Sequence, residues 1–313
     1  MDITIRPLER GDLDEADRIM RLAFGTFVGL PDPATFMGDA GYVRTRWLAD
    51  PAAAFASDVD GELAGSNFVA TWGSVGFFGP LTVRPDLWDR GVGKRLLEPA
   101  LDLLETRRTR HTGLFTFAHS PKHLGLYHRF GFAPRFLTAI MSKPVAPGPR
   151  AIRWSKYSDV PEPERANCLD ACRELTDRIY PGLDLRQEIG AVDALRLGDT
   201  VLLWDGSTVA RLAICHHGAG TEAGSGVCYV KFAAVRPGAG AAESFDGLID
   251  ASESFAAARE LAQLVAGVNT GCHEAYGRML ARGFRTDLVG VAMQRHNDPG
   301  YHRPGIFILD DWR

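Results

Sequence analysis

The spacing of apolar residues over residues 1–145 predicts a mixed α/β domain. Apolar side chains three and four positions apart, as in Leu13 and Ala16, are typical of a helix with one buried face. Short apolar runs that end at glycine or proline predict strands, and Asp60-Gly61 between two such runs predicts a hairpin turn. The pattern predicts strands over residues 3–7, 53–59, 63–71, 75–83, 114–118 and 136–142, and helices over residues 13–23, 34–48, 91–107 and 122–130.

The second half of the chain repeats this plan at a constant distance. Val83-Arg84-Pro85 recurs as Val235-Arg236-Pro237, and Gly131-Phe132 recurs as Gly283-Phe284, both 152 residues later. Two matches at one offset, each at the end of an equivalent segment, indicate a duplicated fold. A stretch rich in proline and glycine separates the two copies. The predicted domains are residues 1–145 and residues 152–313, joined by a linker over residues 146–151.

Composition limits the classes to which the chain belongs. Of its 313 residues, 45% are hydrophobic and 24% are charged, the balance of a globular protein and not of a disordered one. The formal charge of −4 disfavours general nucleic-acid binding, and no apolar run is long enough for a membrane-spanning helix. Five cysteines, all in the second half and without a CxxC pair, indicate reduced thiols. With no signal-peptide pattern at the N-terminus, a cytoplasmic location is expected.

The segment after the predicted strand 75–83 carries the first candidate chemistry. A loop that contains Arg90, Gly91 and Gly93 leads directly into a helix. The N-terminus of a helix has unpaired N–H groups and a partial positive charge, and glycines allow a ligand to approach the backbone closely. The loop therefore suits a phosphate group, although a solvated turn before an exposed basic helix has the same pattern.

A second motif follows about thirty residues later, in the segment from Ser120 to Phe132. Together the two motifs resemble those of the GNAT superfamily of acyl-CoA-dependent N-acyltransferases. The first resembles a strand followed by Gln/Arg-x-x-Gly-x-Gly/Ala, and the second resembles Asn-x-x-Ala-x-x-Leu-Tyr-x-x-x-Gly-Phe. Trp88 stands where the first motif has Gln or Arg, and Ser120 where the second has Asn. The resemblance implies an α/β fold with a mixed sheet and flanking helices, present here in two tandem copies.

The resemblance also implies a mechanism and a cosubstrate, acetyl-CoA, with no metal ion. The backbone of Leu81, Thr82 and Val83 would hold the pantetheine arm as an added strand, and a splay in the sheet would expose an N–H group to polarise the thioester carbonyl. A neutral amine would attack directly, and Tyr127 would protonate the departing thiolate, a transfer that is uphill by about 2 kcal/mol from reference pKa values. Further expected cofactor contacts are Asp89, Arg90, Gly91, Val92, Gly93 and Lys94 in the loop, and Ser120, Lys122 and His123 at the second motif.

The group that takes the proton from the amine is open at this point. His119 at the end of a predicted strand is one candidate. The terminal carboxylate of Arg313 is another, since the apolar tail 306–313 predicts docking and the enhanced intracellular survival family, which the chain resembles in part, places its terminus in the catalytic site.

The second copy is predicted to be a structural partner that walls the acceptor site. At the offset of 152, Met279 falls where the first copy has Tyr127, and Glu243 falls in place of Gly91 and would repel a diphosphate. The glycine-rich run 218–226 predicts a mobile hairpin with an exposed His216 beside it.

The predicted function is direct transfer of an acetyl group from acetyl-CoA to a primary amine of a small molecule or peptide. Residues 1–83 carry 6 basic and 12 acidic side chains, and an acidic acceptor side would attract a cationic amine. A catalytically silent acyl-CoA-binding module and a transferase of longer acyl groups are the alternatives. Neither the acceptor's identity nor the oligomeric state follows from the sequence.

Overall fold

Both halves of the chain form strands and helices in the order that the apolar spacing predicts. The computed structural model describes residues 1–146 and 152–313. The first half contains β1 (Ile3–Pro7), α1 (Leu13–Phe27), α2 (Tyr42–Ala49), β2 (Ala54–Val59), β3 (Glu62–Trp72), β4 (Val75–Phe78), β5 (Thr82–Val83), α3 (Val92–Thr106), β6 (His111–Phe117), α4 (Pro121–His128) and β7 (Phe132–Pro144). The second half contains β8 (Ser155–Lys156), α5 (Arg165–Ile179), α6 (Arg186–Ala194), β9 (Gly198–Asp205), β10 (Thr208–Gly218), β11 (Gly224–Val235), α7 (Ala241–Ala257), β12 (Gln263–Asn269), α8 (His273–Ala281), β13 (Arg285–Arg295) and β14 (Ile308–Asp310).

Two predicted elements differ from the observed ones for local reasons. The helix predicted over residues 34–48 begins only at Tyr42, because Met37 and Gly38 adopt positive φ angles of 62° and 54° that a helix does not allow. The strand predicted over residues 75–83 is divided into β4 and β5 by a turn at Gly79, where φ is 138°. Of the predicted linker, residues 147–151 lie outside the described residues, and the domain boundaries stay a prediction.

The repeat distance read from the sequence recurs in the structure. Strand β6 begins at His111 and β12 at Gln263, and helix α4 contains Tyr127 where α8 contains Met279, each 152 residues later. The two halves are therefore two copies of one fold, as the paired motifs predict.

Strands β7 and β13 each lie in the sheet of the other half. The order of strands is β1-β2-β3-β4-β6-β13-β7-β12-β11-β10-β9-β8, so that β13 pairs with β6 of the first half and β7 pairs with β12 of the second. Between them, β7 and β13 pair with each other in an antiparallel ladder. One continuous mixed sheet thus joins the halves through exchanged strands.

The exchanged strands also fill each other's cores. Val291 and Met293 of β13 pack in the apolar cluster that contains Leu97 of α3 and Leu114 of β6. Ala139 and Met141 of β7 pack in the large cluster of the second half. Helices α1 and α2 bury a separate cluster on the other face of β2 and β3. Among the described residues, no helix combines the length and apolar character needed to cross a bilayer.

The segment 306–313 docks as its apolar composition predicts. Strand β14 pairs with β11, and Trp312 beyond it is buried and stacks on Phe77 with ring centroids 6.1 Å apart. Two glycines make room for this segment, since a Cβ at Gly113 of β6 would overlap the Trp312 ring and one at Gly267 of β12 would overlap Asp311. The sequence of both central strands is thus adapted to the docked segment.

We expect Gly113→Ala to destabilise the protein, because the added methyl group cannot coexist with the docked Trp312 ring. Overpacking of this kind costs about 1–3 kcal/mol. The measurement is the midpoint of thermal unfolding, with Gly277→Ala in α8 as the control, since a Cβ there meets no atom within 4 Å. Equal midpoints for the two variants would contradict the described packing of Trp312.

Candidate active site

Strands β4 and β6 pair over a short stretch and then separate. Residues 75–77 lie opposite residues 111–113 in a parallel ladder, and the chain then turns at Gly79. After the turn, β5 pairs with β3, and among the described residues no strand pairs with its edge on the side of β6. Leu81, Thr82 and Val83 lie along this part of the chain. The fold thus has an open slot between two strands, with the predicted pantetheine-binding residues at its side.

The predicted phosphate loop lies at the N-terminus of α3. Gly91 is the N-cap residue with a φ of 84°, a left-handed conformation that favours glycine. The first N–H groups of the helix have no partner within it, and the side chains of Arg90 and Lys94 are exposed beside them. Gly93 has ordinary space around it, because the nearest atom to a Cβ there would be 3.5 Å away on Leu81. This donor set of backbone N–H groups and two cations fits a diphosphate.

Three side chains connect the loop to the start of α4. Lys122 Nζ lies 2.8 Å from Asp89 Oδ1 and 5.5 Å from the centre of the Trp88 ring. The Trp88 indole donates a hydrogen bond of 2.8 Å to the carbonyl of Val83. Trp88, which departs from the family motif, therefore ties the loop to β5. A phosphate bound here would compete with Asp89 for Lys122.

Tyr127 lies at the inner end of the slot. It is buried, and its ring lies 5.9 Å from that of Phe78, the last residue of β4 before the turn. Burial raises the pKa of Tyr127, so the phenol keeps its proton and is available as a donor. Ser120 is buried at the N-cap of α4, where its Oγ accepts a 3.3 Å hydrogen bond from the His123 backbone N–H. The Ser120 hydroxyl thus positions the helix that carries Tyr127.

An aromatic cluster brings the end of α1 against the end of β6. Phe27 lies 4.8 Å from Phe117, 5.6 Å from His119 and 4.8 Å from His123, measured between ring centres. His119 is exposed, whereas burial lowers the pKa of His123, followed by the effects of Lys122 and His119. The structure therefore brings both predicted histidines together beside the slot.

The equivalent slot of the second half is filled by the chain itself. Strand β14 pairs with residues 232–234 of β11, at the offset of 152 from residues 80–82, and also contacts β12. Strand β11 continues past Lys231, the counterpart of Gly79, with a bulge at that residue in place of a turn. Met279 is fully buried in place of Tyr127. The second half has no open slot of the kind seen in the first.

The counterpart of the phosphate loop in the second half differs from the offset prediction. Gly240, with a φ of 79°, is the N-cap of α7 and matches Gly91 structurally, whereas Glu243 lies in the first turn of α7 with an exposed side chain. The loop before α7 is three residues shorter than its counterpart, which shifts the alignment locally. The sequence comparison at a constant offset could not detect this deletion.

Arg46 of α2 is the residue that sequence reasoning missed. Its guanidinium donates to the carbonyl of Gly79, to the main-chain oxygen of Arg313 and, over 3.0 Å, to Glu222 Oε1. Arg46 thus makes hydrogen bonds to the turn at the slot, to the docked segment 306–313 and to Glu222 of the second half. The sequence feature that could have indicated this residue is its position: Arg46 is a cation on the same face of α2 as the buried Tyr42 and Val43.

The glycine-rich run 218–226, whose composition predicts a mobile hairpin, is docked on the first half by hydrogen bonds. Its Gly220 N–H and Ser225 side chain bond to Asp39, and the Thr221 carbonyl accepts from the Gly41 N–H at 2.8 Å. His216 beside it is fully buried and not exposed. This docking places Glu222 against Arg46. Within the described residues no cluster of His, Cys, Asp and Glu is arranged to hold a metal ion.

Comparison with known proteins agrees with this fold. The sequence model of the acetyltransferase (GNAT) family matches residues 18–132. Mycothiol acetyltransferase from Clavibacter sepedonicus is 32% identical over 121 residues, which span 38% of this chain and 40% of the relative. The alignment therefore covers less than half of either protein.

Solved structures match over nearly the whole chain at low identity. A Pyrococcus horikoshii protein described as an acetyltransferase superposes with a TM-score of 0.71 at 12% identity, covering 99% of this chain and 95% of its own. A GCN5-related N-acetyltransferase from Sphaerobacter thermophilus gives 0.63 at 16% identity, covering 95% and 96%. A tandem GNAT protein from the clavulanic acid biosynthesis pathway gives 0.58 at 13% identity, covering 94% and 98%. Residues 18–132 thus carry the sequence pattern of the GNAT acetyltransferase family, and the chain as a whole has the fold of these solved structures.

Proposed function

We propose that the first half binds acetyl-CoA and transfers the acetyl group directly to a primary amine of a small molecule or peptide. The observation that carries the proposal is the contrast between the two slots: the one beside Gly79 is open, and its counterpart is filled by β14. The open slot also has a diphosphate-binding loop at one end and a protonated phenol at the other. The name of the Clavibacter relative favours acetyl over longer acyl groups.

Each part of the slot has a defined task in this reaction. The free edge from Leu81 to Val83 offers backbone groups to the pantetheine arm, and the N–H groups from Arg90 to Lys94 bind the diphosphate. A backbone N–H at the splay polarises the thioester carbonyl, and the amine nitrogen forms its bond to that carbon. The carbon–sulfur bond then breaks, and the sulfur takes the proton of Tyr127. Solvent returns a proton to the phenolate.

We propose Arg313 and His119 as candidates for the group that takes the proton from the amine. The main-chain oxygen of Arg313 accepts a hydrogen bond from Arg46. Arg46 also donates a hydrogen bond to the carbonyl of Gly79 at the turn. His119 lies beside the slot on Phe27. Extension of the chain beyond Arg313 is expected to lower kcat, and unchanged turnover would leave His119 as the candidate.

Tyr127→Phe is expected to lower kcat at least 100-fold and to leave the Kd for coenzyme A unchanged. The phenyl ring keeps the packing against Phe78 but has no proton to give. Thiol release from acetyl-CoA measures turnover, and calorimetry measures the Kd. Tyr276→Phe in α8 is the control, because Tyr276 lies in the second half, where the proposed reaction does not take place. Equal turnover for the wild type and Tyr127→Phe would favour a catalytically silent acyl-CoA-binding module or another acid.

Gly91→Ala is expected to weaken coenzyme A binding about tenfold, and Gly93→Ala to change it much less. An alanine at a φ of 84° costs roughly 1–2 kcal/mol and so shifts the loop out of its binding geometry. Position 93 has no positive φ and has room for a Cβ. Calorimetric Kd values for the two variants make the comparison, and equal affinities would argue against diphosphate binding at this loop.

A further inference from the structure

The two faces of the sheet at the slot have different neighbours. Successive residues of a strand point to opposite faces, so Gly113 and Phe117 of β6 lie on one face and Leu114 lies on the other. Leu114 packs with Tyr127 and with α3, the helix that begins at the predicted phosphate loop. On the other face, Trp312 packs at Gly113, and α1 packs against Phe117. An amine that attacks a thioester in the slot from the side opposite Tyr127 therefore approaches along the face of α1.

Five aromatic rings lie in contact on this face, at the end of β6. Phe24 lies between Phe36 and Phe117, with distances between ring centres of 5.4 and 6.0 Å. Phe27 lies 4.8 Å from Phe117 and 4.8 Å from His123, within the range of favourable ring contacts. Together they form an aromatic wall that consists of Phe24, Phe27, Phe36, Phe117 and His123.

The aromatic wall is accessible from solvent. Of its five side chains only Phe117 is buried, and the other four are half-buried. The apolar surface continues outward along the chain, because Val28 is 41% exposed and Met37 is 36% exposed. Covering apolar surface of this kind with a ligand gains free energy in proportion to the area removed from water.

The loop that carries Phe36 is fixed by hydrogen bonds to α1. Arg21 of α1 lies 2.6 Å from Asp17 and donates three hydrogen bonds of 2.6–2.7 Å to main-chain carbonyls of the loop. The acceptors are the carbonyls of Phe36, Gly38 and Ala40. The rings are therefore held in place before a ligand arrives, so that binding loses little free energy in ordering them.

The aromatic wall has no formal charge at neutral pH. Burial lowers the pKa of His123 below its usual value, and the neighbouring Lys122 lowers it further, so the imidazole is neutral. None of the five residues is acidic, although residues 1–83 carry 12 acidic side chains. A surface of neutral rings binds a flat apolar group by stacking and burial of area, and it offers no carboxylate to a second ammonium group.

We propose that the acetyl acceptor is an arylalkylamine, a primary amine joined by a short alkyl chain to an aromatic ring, and that the aromatic wall binds this ring. This inference rests on the proposed function. The parallel register of β4 and β6 places Gly79 level with Phe115, and Phe117 is two residues, or about 7 Å, further along the strand. A linker of two or three carbon atoms bridges a gap of this order between a ring on the wall and an amino group at the slot.

The test is calorimetric titration of three amines into protein saturated with coenzyme A. The amines are 2-phenylethylamine, ethylamine, which has the same reactive group without the ring, and 1,4-diaminobutane, which has a second ammonium group in place of the ring. We expect 2-phenylethylamine to bind at least tenfold more tightly than either of the other two.

Two variants of the aromatic wall locate the binding of the ring. Phe27→Leu and Phe36→Leu each keep an apolar side chain but remove a stacking partner, and each is expected to weaken 2-phenylethylamine binding about fivefold. The matched control is Phe136→Leu, because Phe136 is a half-buried ring of β7 that lies on Arg135, outside the wall, and it is expected to leave this binding unchanged. The use of two wall variants keeps the test valid if one of them fails to fold.

Equal Kd values for 2-phenylethylamine and ethylamine, tighter binding of 1,4-diaminobutane, or unchanged binding in the folded wall variants would each overturn the proposal. The Kd for coenzyme A distinguishes these outcomes from failure of the proposed function. Normal coenzyme A binding without a preference for the ring rejects only the role of the aromatic wall. If the wild type does not bind coenzyme A, the acetyl-CoA site is rejected, and the same titrations into the free protein decide whether the wall binds the ring.

Discussion

The exchange of β7 and β13 is the constraint on which the rest of the structure depends. Neither half completes its own sheet, because β6 pairs with β13 of the second half and β12 pairs with β7 of the first. Removal of one half would leave unpaired backbone at the centre of the sheet and open the core of the other. The second half is therefore indispensable to the fold whether or not it has chemistry of its own.

The two copies of the fold differ at the slot. In the first half, Gly79 turns the chain away and leaves an edge free. In the second, a bulge at Lys231 takes the place of that turn, and β14 occupies the edge. Lys231 is the extra, unpaired residue of this bulge, and its Nζ donates a 3.1 Å hydrogen bond to Glu222 Oε1. The bulge that replaces the turn in the second half thus also places the cation of Lys231 near the open slot of the first half.

The sequence predicted those features that local patterns determine. Element order, the duplication, the loop at Gly91 and the place of Tyr127 follow from spacing within short segments. The strand exchange does not, because β7 and β13 have the same apolar pattern whichever sheet they join. Arg46 and Glu222, which are 176 residues apart, meet only through tertiary packing. Likewise, the run 218–226 has the composition of a mobile hairpin, and only its bonds to Asp39 make it a fixed wall.

Arg46 shows why the slot, the tail and the second half form one unit. A buried guanidinium is stable only when its N–H groups have acceptors, and here they come from Gly79, Arg313 and Glu222. Loss of any one acceptor leaves a buried guanidinium N–H group without a partner, and loss of Glu222 also leaves its charge unbalanced. Because one of the three is the carbonyl at the turn, the geometry of the open slot depends on residues of the second half that are distant in sequence from the loop at Gly91. The second half therefore contacts the slot through Arg46, which is hydrogen-bonded to the carbonyl at the turn.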